Sequence, residues 1–180
     1  MKAPGRQEGK AVAVWRRGAV ALLVLPALVG CGEGLQFRND HRLDFQAPEA
    51  RARVSAPVQV SWTMTGFTAS GLDGSRTKDR GAFAVFVDRA PMPVGKDLRW
   101  IFRKDGRCHA DASCPTTEQL SERGVLVTTR TSVTIDVLPR VPSGTGDEQH
   151  YVNVVLLDGT GRRIGESGWY LPFSSKRRPA

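Results

Sequence analysis

Apolar and polar residues alternate one for one along several short stretches of this chain, and a period of two leaves little but β-structure open to it. Val58, Val60, Trp62 and Met64 alternate with Gln59, Ser61, Thr63 and Thr65. Val133, Ile135 and Val137 repeat the pattern up to Pro139, and Trp169, Leu171 and Phe173 repeat it near the end. Successive side chains of a strand point to opposite faces, so each set marks a buried face and its neighbours a wet one. Residues 82–87 are apolar throughout and predict a central strand, and residues 98–102 a shorter one. Leu43 and Phe45 begin a first strand, residues 124–129 and 151–157 supply two more, and the turn chemistry of residues 158–161 precedes a last strand over 164–173.

Seven or eight short strands with turns between them predict an all-β sandwich over residues 42–175, with at most one short helix. That helix is placed at residues 115–122, where threonines are available to cap it and Glu118 falls in the first turn. The sets Val58/Val60/Trp62, Val133/Ile135/Val137 and Trp169/Leu171/Phe173 are expected to pack against each other between two sheets. Loops 68–80, 104–115 and 142–149 are expected to be exposed. In this pattern the chain resembles the immunoglobulin-like and fibronectin-like domains of bacterial surface proteins. The resemblance lies in the pattern alone, because Cys108 and Cys114 are too close in sequence to bridge two sheets as immunoglobulin cysteines do.

The chain opens differently. Lys2, Arg6, Lys10, Arg16 and Arg17 face one acid, Glu8, and then residues 18–29 carry no charge. A basic stretch followed by a short apolar one is the order of a secretory signal. Twelve apolar residues fall short of the roughly 20 that a spanning helix needs. Leu28-Val29-Gly30-Cys31 resembles the lipobox of bacterial lipoproteins, in which the cysteine thiol receives a diacylglyceryl group and the signal is cut before it. The resemblance implies that residues 1–30 are removed, that Cys31 is lipidated, and that residues 31–41 form a tether. It also implies that the chain is held on the extracytoplasmic face of a cell membrane. Two acyl chains hold firmly where one holds only marginally. Arg16-Arg17 leaves twin-arginine export open beside the general route.

Removal of the signal takes away five basic groups and one acid, so 26 basic and 18 acidic groups become 21 and 17, and the net charge falls from +8 to +4. That balance and an extracytoplasmic address argue against a nucleic-acid partner. The basic tail, residues 176–180, reads as a solvated end or as a contact for anionic head groups. With Cys31 assigned to lipid, Cys108 and Cys114 remain as a pair in an oxidising compartment and predict a disulfide. The rival reading adds His109 and Asp111 as metal ligands.

No serine-hydrolase elbow, phosphate loop, dinucleotide fingerprint or zinc-protease motif is present, and the reading is that of a non-enzymatic module without a cofactor. His41, His109 and His150 read as unrelated surface or strand-end residues, and Asp147 and Glu148 as loop acids. The large aromatics are the candidates for ligand or partner contact: Trp100, Tyr151, Trp169 and Tyr170. Of the neighbours Trp169 and Tyr170, one must face outward. The chain is therefore expected to be a binding or accessory module for an envelope protein partner, or a binder of glycans or small ligands through exposed rings.

Overall fold

The computed structural model describes residues 40–140 and 147–176. Five strands carry most of the fold: β1 (Leu43–Ala47), β3 (Val58–Met64), β5 (Arg80–Val87), β8 (Glu148–Leu157) and β9 (Arg163–Ser175). Two shorter ones, β6 (Val125–Thr128) and β7 (Ser132–Ile135), bring the number to seven, within the seven or eight expected, and the two-residue strands β2 (Arg53–Val54) and β4 (Thr68–Ala69) are additions at the sheet edges. One sheet has the order β1-β3-β7, and the other runs β2-β9-β8-β5-β4 with β6 also paired to β5. Setting the two short strands aside, β1, β3 and β7 face β6, β5, β8 and β9 as strands A, B and E face C′, C, F and G in sandwiches of immunoglobulin type.

The alternating sets meet between the sheets. Val58, Val60 and Trp62 pack with Phe83, Val85, Val152, Val154, Trp169, Leu171 and Phe173 in one buried cluster. Each such side chain contributes roughly 1.5–3 kcal/mol on leaving water. Trp62 meets Phe83 edge to face at 5.3 Å between ring centres. One expected member is missing: Val137 is 67 % exposed, because β7 ends at Ile135 and Leu138 turns inward in its place.

The central sheet is covered on its other face as well. Residues 88–124 leave the end of β5 and return to β6, and on the way they lay a helical cap over Ala84, Phe86, Val125, Val155 and Leu157. This second cluster explains why β5 is apolar at every position from Ala82 to Val87 rather than at alternate ones. The cap holds three helical pieces: a 3-10 turn over Leu98–Phe102, α1 (Gly106–Ala110) and α2 (Thr117–Glu122). α2 lies where the sequence places a helix, and Thr116 and Gln119 cap its start reciprocally. Residues 98–102 are a 3-10 turn and not the expected strand. Their buried members Leu98, Ile101 and Phe102 recur at intervals of three and four, a helical spacing hidden in a five-residue run that is apolar except for Arg99. Together with α1 this exceeds the single short helix expected.

Candidate functional site

The outward side of β8 and β9 brings two of the candidate aromatics together. Asn153 pairs with Tyr170 and Tyr151 with Pro172, so the two tyrosines are diagonal neighbours on one face. Their ring centres lie 5.5 Å apart, and Tyr170 is 57 % exposed. Arg89, from the first residues of the cap, borders this face: its carbonyl accepts from Asn153 Nδ2, and its own guanidinium donates to the carbonyl of Arg123. Burial, then the nearby Arg123 and Arg103 cations, push the pKa of Arg89 down.

Trp169, the inward partner of Tyr170, is 8 % exposed and belongs to the sandwich core. Its indole Nε1 donates to the carbonyl of Asp40 at 2.7 Å. Trp169 therefore presents no ring to a ligand, and the structure gives it a fastening task instead. Asp40, read from sequence as tether, is held tightly: its carboxylate accepts from Arg42 Nη2 at 2.7 Å and from Ser167 Oγ at 2.6 Å. The Arg42 hydrogen bond is the main reason the Asp40 carboxyl lies far below the usual carboxylate range. The fixed domain thus begins by Asp40, and residues 1–39, with the lipobox and Cys31, lie outside the described residues.

Trp100 lines an open groove of about 560 Å³ on the cap, and neither tyrosine is among the residues lining it. Arg103 stacks over its indole, with the guanidinium carbon 3.6 Å from the ring centre. Lys96, Arg99 and Arg162 add positive charge to the groove, and Asp97 opposes them. Arg99 also holds the loop behind it, donating to the carbonyls of Cys108 at 2.8 Å and Asp111 at 3.1 Å.

Within that loop the buried sulfurs of Cys108 and Cys114 lie at disulfide distance, with Cα atoms 5.2 Å apart. The Asp111 carboxylate turns back on its own loop and accepts from the amide and hydroxyl of Ser113 at 2.8 and 2.7 Å. Among the described residues no group of three or more His, Cys, Asp or Glu side chains is placed to hold a metal. Closing so short a loop constrains the unfolded chain by about 2 kcal/mol. Cys114→Ala is therefore expected to lower the unfolding free energy by about that amount, and urea titration with and without reductant checks it. Reductant should weaken the parent and leave the variant unchanged; a parent indifferent to reductant would remove the disulfide.

A further cluster was invisible in sequence. His150 is fully buried on β8, and its Nδ1 lies 2.7 Å from Asp88 Oδ2 while its Nε2 lies 3.0 Å from Ser175 Oγ. Asp88 Oδ1 accepts from the Tyr151 amide at 2.9 Å, and Glu148 Oε2 stands 3.8 Å from His150 Nε2. The residues read as a strand-end histidine and a loop acid are thus buried and joined. Alternation along β8 places His150 on the side of Val152 and Val154, so its burial was legible. Its partners, 62 and 25 residues away along the chain, were not.

No family model matches this chain, and no curated protein or solved structure matches it. Among the described residues no helix is long and apolar enough to cross a membrane.

Proposed function

We propose that this protein is a lipid-anchored, extracytoplasmic binding module of the cell envelope, held by diacylated Cys31 and acting without catalysis or cofactor. The observation that carries the binding reading is the Tyr151–Tyr170 pair, displayed outward on a sheet whose other face is locked in the core. Rings held by a rigid sheet give up little entropy when a partner covers them. The same pair supports a second reading, capture of a glycan, because two neighbouring rings and the Asn153 amide offer stacking and hydrogen bonding together. The fastening of Asp40 to Ser167 and Trp169 gives the tether a fixed root on the domain, as a lipid-held module requires.

Intact mass of the protein from the membrane fraction, beside a Cys31→Ala variant, tests the anchor. The expected result is a mature chain beginning at a diacylated Cys31, with the variant unlipidated and uncleaved there. An unmodified Cys31, with both proteins partitioning alike, overturns it. Binding is tested on the same material: Tyr151→Ala/Tyr170→Ala is expected to weaken capture of an envelope protein or glycan by about tenfold, the share of one good aromatic contact. Unchanged capture would remove the tyrosine face from the site.

A further inference from the structure

We propose that the β8–β9 hairpin end of the domain is a second membrane contact, a surface that seats on anionic lipid head groups. Three independent features meet there. The first is charge: Lys96, Arg99, Arg103 and Arg162 line one groove against the single acid Asp97. The second is exposed aliphatic surface. Val94, 48 % exposed, immediately precedes Gly95 and Lys96, and Leu72 is 50 % exposed. Leu72 lies against the hairpin turn, since a Cβ on Gly161 would be 4.0 Å from it. Cations beside exposed aliphatic side chains and an indole suit the boundary between head groups and acyl chains. A sugar acid or a free phosphate would satisfy the cations and leave Leu72 and Val94 in water.

The third feature is the position of the tether root. Asp40 is bonded to Ser167 Oγ, and the Ser167 carbonyl accepts from Arg163 Nη2 at 3.3 Å. The Arg163 amide in turn donates to the Lys96 carbonyl at 2.8 Å, and the Gly95 amide donates to the Arg163 carbonyl at 3.0 Å. Three hydrogen-bonded links therefore join the root of the tether to the groove. The chain from Cys31 to Asp40 extends at most about 30 Å, so a lipid on Cys31 keeps this end within reach of the bilayer surface. This reach argument rests on the anchor proposed above; the charge and aliphatic surface do not.

The two readings are separated by measuring lipid binding without the anchor. A chain of residues 31–180 carrying Cys31→Ser retains every residue of both buried clusters, which are built from positions between Leu43 and Phe173. Its sedimentation with vesicles of phosphatidylcholine containing one third phosphatidylglycerol is compared with its sedimentation with phosphatidylcholine alone. It is expected to bind the anionic vesicles only, and to be released by salt. Each basic side chain at such a surface is worth about fivefold in partition, so Lys96→Ala/Arg162→Ala should weaken binding by about twenty-five-fold. Both side chains are exposed, so the variant keeps the fold. Binding by the double variant equal to the parent's overturns the proposal, as does equal binding to both vesicles. Displacement by inorganic phosphate, or binding to polygalacturonate with none to vesicles, overturns it in favour of a small-anion or glycan site. Vesicle binding with an unmodified Cys31 would remove the anchor and leave this surface standing; a diacylated Cys31 without vesicle binding would do the reverse.

Discussion

Replacing His150 with alanine is expected to lower the unfolding free energy by about 3 kcal/mol, the combined effect of an emptied core position and a buried carboxylate left short of a partner. The imidazole is fully buried against Phe173, with ring centres 5.7 Å apart, and its two nitrogens reach Asp88 and Ser175. It thereby ties the end of β5 to β8 and to the end of β9. Removing it leaves the Asp88 carboxylate with the Tyr151 amide alone among its described partners. The order Asp88, His150, Ser175 is that of a hydrolase triad. Here the imidazole is fully buried, and Ser175, the last residue of β9, is itself buried. Urea unfolding of the His150→Ala chain checks the prediction, and Ser175→Ala should cost about 1 kcal/mol, as one hydrogen bond does. A loss below 1 kcal/mol for His150→Ala would show that the network fastens nothing.

Gly81→Ala is expected to be at least as damaging, at about 3 kcal/mol or more, or a drop of roughly 10 °C in Tm. Gly81 has φ +149°, and a Cβ there would overlap the carbonyl oxygen of Leu157 and lie 2.8–2.9 Å from the backbone of Asp158. Backbone cannot rotate away as a side-chain tip can. Relief requires β8 to separate from β5 at Ala82–Leu157, the end pair of the ladder between two inner strands of the larger sheet. Gly74→Ala is the control. Its φ of +83° also strains an alanine, but nothing lies within 4 Å of the added carbon. Thermal unfolding should therefore separate the two variants clearly, with Gly74→Ala costing about 1 kcal/mol. Equal losses would show that φ alone, and not the contact with β8, makes Gly81 necessary.

Much of the sandwich was legible because its signal is local. Val58, Val60 and Trp62 report their face through their immediate neighbours, and Asp158 closes the β8–β9 hairpin through atoms within four residues, accepting from the Thr160 and Arg162 amides at 2.9 and 3.0 Å. The run Leu98–Phe102 misled because five apolar and basic residues fit a strand as well as a tight helical turn. What decided between them was the outer face of β5 and β8, which needed a cover, and that need is a property of the assembled sheet.

The candidate aromatics divide along the same line. Alternation alone required that Trp169 and Tyr170 part company, and the core took the larger, more apolar ring. That Tyr170 meets Tyr151, that Trp100 lies under Arg103, and that Asp40 is bonded to Ser167, whose carbonyl holds Arg163, depend on strand register and on where the cap returns. By itself the sequence determined the all-β class, the two-faced strands, the pairing of Cys108 with Cys114 in one small loop and the expectation of a lipid on Cys31. The tertiary structure alone decided the His150 network, the second core beneath the cap, and the clustering of charge and aliphatic surface at one end. The physical reason is sequence separation: periodicity records which side of a strand is dry, while contacts between residues tens of positions apart are written only by the packing of one sheet on another.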